Sequence, residues 1–84
     1  MIQSGFIFEK IGPDLGYKYN TQKRKIYSWL CVNGSIANGE CIMLGCFRYG
    51  QRLKEIRADL EPHGWRIRTE MQEGGRCDYH LEKI

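Results

Sequence analysis

The segment from Gly45 to Arg57 constrains the fold of this chain most, because it predicts a sharp turn followed by a helix with two unlike faces. We expect the helix to run from about Phe47 to Leu60. At about 100° per residue, one face is apolar and the opposite face is polar and basic. The apolar stripe comprises Tyr49, Leu53, Ile56 and Leu60, and the polar side comprises Arg48, Gln51 and Glu55, with Arg52 on its flank. Such a helix can pack on a small core and still present arginine and glutamine side chains to the edges of DNA bases.

The length of 84 residues predicts one domain with a modest core and little room for a cofactor pocket. The net charge of +3 is mild, and acidic and basic residues are interspersed except in the run Lys23-Arg24-Lys25. That balance permits nucleic-acid binding without requiring it, and it argues against a mimic of DNA, whose surface would be acidic. No segment has the pattern of a signal peptide or the length of a membrane-spanning helix. We therefore expect a protein of the bacterial or host-cell cytoplasm, or of the nucleoid, with no membrane partner.

The spacing of the cysteines does not favour a metal site. No two of Cys31, Cys41, Cys46 and Cys77 are separated by two residues, as the ligands of structural zinc sites usually are. We expect them to be small core residues, with no metal and no cofactor. The sequence also lacks an activated nucleophile, paired carboxylates and a phosphate-binding loop, so we expect no catalytic residues and no enzyme activity.

Residues 1–20 differ from the rest of the chain, because glycine and proline interrupt a series of apolar and aromatic residues there. Phe6-Ile7-Phe8 favours a short strand, and Gly12-Pro13-Asp14 is typical of a turn. We divide the chain into an extension, residues 1–20, and a domain, residues 21–84. The extension either packs on the domain or serves as an arm against a partner, and its candidate contact residues are Phe6, Phe8, Tyr17 and Tyr19.

A first helix is predicted from Gln22 to Val32, with Asn20 or Thr21 as its cap and Asn33-Gly34 as its end. Its first turn holds three cations where the helix dipole disfavours them, which is a mild hint of an anionic partner.

A second, short helix is predicted from Gly39 to Leu44, after an extended link at Ser35-Ile36 and with Asn38 as its cap. Ile42 and Leu44 are expected to point toward the core.

The chain from Trp65 onward alternates apolar and polar residues with period two, which indicates strands. Gly74-Gly75 predicts a hairpin turn between them. Trp65 and Tyr79 belong to the apolar series and are expected to pack on the core. The polar series leaves Arg66, Arg68 and Arg76 facing solvent.

Helix, link, short helix, turn, helix and hairpin is the order of a winged helix-turn-helix, and the chain from Lys25 to Leu81 resembles the small helix-turn-helix proteins of phages and prophages. The matching segments are Gly34-Ser35-Ile36, Gly45-Cys46-Phe47-Arg48, Gln51-Arg52-Leu53, Glu55-Ile56-Arg57, His63-Gly64-Trp65-Arg66-Ile67 and Gly75-Arg76-Cys77-Asp78-Tyr79-His80-Leu81. The chain departs from that pattern at Ala37-Asn38-Gly39, where these proteins tend to have Thr-Pro. The resemblance implies an α+β, mainly α fold, with three helices, a C-terminal β-hairpin wing and a propensity to bind DNA.

The third helix of such a domain enters the major groove of duplex DNA. Arg48 and Arg52 would then bond guanine, Gln51 would bond adenine, and Glu55 would accept from cytosine or hold an arginine in place. Phosphate contacts beside the groove, or contacts in a minor groove, would come from Lys23, Arg24, Lys25, Arg66, Arg68 and Arg76. A homodimer would read two half-sites about 10 base pairs apart, or a multiple of that, as a transcriptional regulator or a recombination accessory factor.

A protein–protein module on the same scaffold is the main alternative. It would be a phage-encoded inhibitor, such as an anti-CRISPR or another host-takeover factor, that contacts a host protein through the aromatic N-terminal extension. Aromatic residues are enriched at interface hot spots, and the nearly balanced charge is compatible with this function.

Overall fold

The computed structural model describes residues 12–84, which form three α-helices and one three-stranded antiparallel sheet. The protein is therefore a small α+β domain. The helices are α1 (Gln22–Asn33), α2 (Asn38–Met43) and α3 (Tyr49–Leu60). The strands are β1 (Ser35–Ala37), β2 (Trp65–Met71) and β3 (Cys77–Lys83), and their order in the sheet is β1-β3-β2.

Helix α1 is bounded by the two signals that its sequence predicts. The hydroxyl of Thr21 accepts a hydrogen bond from the Arg24 backbone N–H at 3.2 Å, which caps the first turn. At the other end, the Gly34 N–H donates to the Leu30 carbonyl at 2.7 Å. The side chains that α1 buries are Ile26, Tyr27, Leu30 and Cys31.

The link between α1 and α2 is a strand, a feature that its sequence predicts only as an extended segment. Residues Ser35, Ile36 and Ala37 pair with His80, Tyr79 and Asp78 of β3. Ile36 is buried in the core, which fixes the link between the helices and the sheet.

Helix α2 corrects the expectation about its inward face. Cys41 is fully buried, whereas Ile42 is 47% exposed, so the prediction for Ile42 is wrong. In a helix, residues three apart lie about 60° apart and residues two apart lie about 160° apart. Cys41 therefore shares a face with Leu44, which packs partly buried against the core. Ile42 lies on nearly the opposite side of the helix from Leu44, so the two cannot both point toward the core.

Helix α3 begins at Tyr49, two residues later than predicted, because Phe47 and Arg48 belong to the turn before it. Gly45 has a φ of 80°, which favours glycine, and its N–H donates to the Ile42 carbonyl at 2.9 Å. The predicted apolar stripe is confirmed. Its buried members are Leu53, Ile56 and Leu60, and Tyr49 packs partly buried against the same core.

Strands β2 and β3 form a hairpin whose inner half packs on the core and whose outer half extends past it. Ile67 lies opposite Leu81, and both side chains are buried. Trp65 and Tyr79 pack against the core as predicted. Met71 lies on the same face as Ile67 but beyond the helices, and its side chain is 76% exposed. Gly74 and Gly75 have φ values of 78° and 83° in the predicted turn.

The last residues of the N-terminal extension lie against the helices. The Tyr27 hydroxyl donates to the Pro13 carbonyl at 2.6 Å, and the Tyr17 hydroxyl donates to Asp59 of α3 at 2.7 Å. The Tyr17 and Tyr27 rings meet edge to face, with centroids 5.8 Å apart. The predicted strand at Phe6-Ile7-Phe8 lies outside the described residues.

Candidate nucleic-acid interface

The solvent side of α3 carries the residues best placed to reach a ligand. Gln51 and Lys54 are exposed there, as is Arg48 immediately before the helix, and we call these three residues the outer face of α3. Lys54 is not in the set predicted from the sequence. The helical period indicates it, because Lys54 lies about 100° from the apolar stripe on the side away from α1.

Glu55 binds Gln51 of the outer face and the neighbouring Arg52. It accepts hydrogen bonds from Gln51 at 3.1 Å and from Arg52 at 3.0 Å, and the Lys23 ammonium lies 3.9 Å away. The Gln51 and Arg52 hydrogen bonds hold the pKa of the Glu55 carboxyl below its usual range. Arg52 also donates to the Gln22 side chain of α1 at 3.3 Å. Of the predicted base-reading residues, Gln51, Arg52 and Glu55 are thus engaged with one another within the molecule.

In the basic run at the start of α1, two side chains contact other residues of the chain and the third faces solvent. Lys23 lies 3.9 Å from Asp59 and 4.9 Å from the centre of the Tyr17 ring. Arg24 donates to the Tyr17 carbonyl at 3.1 Å and to Ser28 at 3.3 Å. Lys25 is exposed, so it is the member of this run that faces solvent most fully.

The three arginines of the hairpin are each paired with a carboxylate of β3. Arg66 and Arg68 both bind Glu82, at 3.2 and 2.6 Å, and Arg76 binds Asp78 at 3.0 Å. The hydrogen bond from Arg68 lowers the pKa of Glu82, and the hydrogen bond from Arg76 lowers that of Asp78. The hairpin is therefore less cationic than its arginines alone suggest.

Arg57 joins α3 to the hairpin. Its Nε donates to the Ile67 carbonyl at 3.3 Å, and its Nη2 donates to the Thr69 hydroxyl at 3.2 Å. The sequence prediction assigned no role to Arg57. These two hydrogen bonds hold β2 of the hairpin beside α3.

A cleft of about 480 Å³ separates α2 from the tip of the hairpin. Asn38 spans it at one end, donating to the Gly75 carbonyl at 3.1 Å and accepting from the Cys77 N–H at 3.3 Å. Ile42 and Met43 line the cleft from α2, and Met43 is 82% exposed. Phe47, in the following turn, is 74% exposed.

The sequence makes a prediction about the cysteines and about the possible metal ligands of the described residues. Within residues 12–84, no three His, Cys, Asp or Glu side chains are grouped so that they could hold a metal ion. Cys31, Cys41 and Cys46 are buried, as predicted for core residues, and Cys77 is half-buried. Burial raises the pKa of the Cys41 thiol to about 11, so this thiol is protonated at neutral pH.

Comparisons of the chain with protein families, with curated proteins and with solved structures found no match. Among residues 12–84, none of the helices has both the length and the apolar character needed to cross a membrane.

Proposed function

We propose that this chain is a winged helix-turn-helix protein that binds duplex DNA through α3 and the hairpin, as a small phage-type transcriptional regulator or recombination accessory factor. The observation that carries the proposal is the outer face of α3, where Arg48, Gln51 and Lys54 are exposed. The order α1, β1, α2, α3, β2, β3 supports it, as does the position of β3 between β1 and β2. In such a domain, α3 would enter the major groove and the hairpin would lie beside it.

The internal pairing of the arginines decides which residues would supply the affinity. Arg48, Lys54 and Lys25 are exposed and have no ion pair within residues 12–84, whereas Arg52, Arg66, Arg68 and Arg76 each have one. The electrostatic part of DNA affinity comes from cations that replace the counterions of phosphates. A protein with few unpaired cations would bind non-specific DNA weakly and would depend on base contacts from Arg48 and Gln51.

The test is selection from a random-sequence duplex pool at moderate salt, followed by affinity measurement on the enriched sequence. We expect Lys54→Glu and Arg48→Glu to lower the affinity at least tenfold, because each replaces a cation beside the phosphates with an anion. The matched control is Lys83→Glu, an equal charge reversal at the end of β3 away from the hairpin tip. The proposal fails if the wild-type protein enriches no sequence, or if the three variants bind alike.

Binding to a host protein is the second candidate, in the role of an anti-CRISPR or other host-takeover inhibitor. It is favoured by the exposed apolar side chains of Ile42 and Met43, which line the cleft between α2 and the hairpin tip, and of Phe47 in the turn after α2. Exposed apolar residues grouped at a cleft are typical of protein-binding sites. If DNA selection yields no motif, we expect inhibition of the host target to be lost in Met43→Asp and retained in Lys83→Glu.

A further inference from the structure

The outer edge of β2 presents backbone groups that no other described residue pairs along its distal half. On the β3 side, Gln72 N–H donates to the Arg76 carbonyl and Ile84 N–H donates to the Gly64 carbonyl. These two bonds and the register of the hairpin show that the backbone N–H and C=O groups of the even-numbered residues of β2 point toward β3. The N–H and C=O groups of Ile67, Thr69 and Met71 therefore point away from the sheet, and the bond from Arg57 to the Ile67 carbonyl agrees with this direction.

The side chains along this edge are self-complementary. Arg68 and Glu70 lie on one face of β2, and Ile67, Thr69 and Met71 lie on the other. Within the chain, Arg68 pairs with Glu82 and Glu70 pairs with His80 on β3. The side chains of Arg68 and Glu70 are still about half exposed, so a further strand can reach both of them.

We propose that β2 is a homodimer edge, at which a second copy adds its own β2 antiparallel with Thr69 on the two-fold axis. This register places Arg68 opposite Glu70 of the second copy, and Glu70 opposite its Arg68. On the other face it places the exposed side chain of Met71 beside Ile67 of the second copy. Opposite charges at facing positions stabilise antiparallel pairs, and like charges destabilise them.

The charge pattern selects this register over its neighbours. An axis at Ile67 puts Arg66 opposite Arg68 twice, and an axis at Arg68 puts two arginines face to face. An axis at Glu70 puts two glutamates face to face. Only the Thr69 axis gives two attractive pairs and no repulsive one among these charges.

The edge also carries a restraint, because Arg57 occupies the Ile67 carbonyl and the Thr69 hydroxyl. Natural proteins commonly protect edge strands with charged side chains. Pairing requires the Arg57 guanidinium to turn aside from the edge. The paired surface is also short compared with the roughly 1,200 Å² or more of stable interfaces. We therefore expect a dimer that forms only at high protein concentration.

Charge reversal at Arg68 and at Glu70 tests this register. Sedimentation velocity on the full chain, over micromolar to millimolar concentrations, measures whether each variant dimerises. In Arg68→Glu both facing residues become acidic, and in Glu70→Arg both become basic, so each variant alone is expected to stay monomeric. An equimolar mixture of the two restores both opposite-charge pairs and is expected to dimerise. This recovery shows in addition that both variants are folded.

Arg66→Glu is the matched control, because Arg66 lies on the same face and shares Glu82 but faces Gln72 of the second copy in this register. We expect it to dimerise as the wild type does. The proposal is overturned if the wild type stays monomeric over the whole concentration range. That result is expected if residues 1–11 of the same chain, and not a second copy, pair with the edge of β2. It is overturned equally if either single variant dimerises like the wild type, which would point to the surface around Ile42, Met43 and Phe47, or if the mixture stays monomeric.

Discussion

At the scale of single residues, Glu55 decides how much of the positive charge near α3 can act on a partner. One carboxylate accepts from Gln51 and Arg52 and lies beside Lys23. The spacings of three and four residues along a helix make the first two contacts predictable from the sequence. The contact with Lys23 depends on how α1 packs against α3, which the sequence alone does not determine.

Replacing Glu55 by glutamine should strengthen DNA binding by the proposed interface. The change removes one negative charge near the phosphates and leaves Arg52 and Lys23 with one fewer counter-charge. We expect the slope of log affinity against log salt to steepen by about one unit, because roughly one more phosphate is neutralised. Salt titration of binding to the selected duplex measures this slope. Glu61→Gln, which removes an exposed carboxylate just beyond α3, is the control, and equal slopes in the two variants would contradict the role given to Glu55.

At the scale of elements, local sequence signals account for α1, for the stripe of α3 and for the hairpin turn. Thr21, Gly34 and Gly74-Gly75 act through their immediate neighbours, so their effects can be read along the chain. The pairing of β1 with β3 joins residues more than forty positions apart and has no local signal. A three-residue strand is also too short for alternation to reveal it. The six residues of α2 are too few for the helical period to identify Cys41 as the inward residue.

Asn38 is the residue through which α2 holds the hairpin. It donates to the Gly75 carbonyl and accepts from the Cys77 N–H, at 3.1 and 3.3 Å. We expect Asn38→Ala to lower the free energy of unfolding by about 1–2 kcal/mol, since two partly exposed hydrogen bonds are lost. Hydrogen exchange should also become faster at the Cys77 amide.

Asn33→Ala provides the matched control, because the Asn33 amide donates to the Trp29 carbonyl within α1 and joins no two elements. We expect it to change stability by no more than about 0.5 kcal/mol. Denaturant unfolding and amide exchange of both variants check the comparison. An unchanged Cys77 exchange rate in Asn38→Ala would show that the hairpin is held in place by its packing alone.

At the scale of the whole molecule, the fold pairs Arg52 and all three hairpin arginines with carboxylates. Arg66 and Arg68 precede their partner Glu82 by more than ten residues, so their pairing follows from the register of the hairpin. The sequence therefore predicts the number of arginines on the hairpin but not their neutralisation. This difference explains why a hairpin rich in arginine is a weaker argument for DNA binding than the exposed outer face of α3.

The same pairing predicts how stability depends on pH. The pKa values of Glu55, Asp78 and Glu82 are lowered in the folded state by their hydrogen bonds to Gln51 and arginines. A carboxylate with a lowered folded-state pKa contributes stability that is present above its unfolded pKa and is lost as the pH falls through the folded one. We expect the urea concentration at the midpoint of unfolding to decrease as the pH falls through about 4.5, at which half of the unfolded glutamates carry a proton. Glu82→Gln should reduce this loss of stability at acid pH, since it removes one of the three carboxyls whose pKa is lowered.

Above neutral pH, stability depends on pH in the opposite direction, and tyrosines instead of carboxylates are responsible. Burial raises the pKa values of Tyr17 and Tyr27 above their usual value of 10, with a further contribution for Tyr17 from its bond to Asp59. Their stabilising effect is complete below pH 10 and is lost as the pH rises from there toward the folded-state pKa. The urea concentration at the midpoint of unfolding should therefore decrease above pH 10. Absorbance at the tyrosinate band should show that Tyr17 and Tyr27 ionise at higher pH in the folded chain than in the unfolded one. Tyr17→Phe keeps the ring contact with Tyr27 but has no hydroxyl, so it should reduce the loss of stability on the alkaline side and leave the loss at acid pH unchanged. A loss of stability at alkaline pH that is the same in Tyr17→Phe and in the wild type would mean that Tyr17 ionises as freely in the folded chain as in the unfolded one.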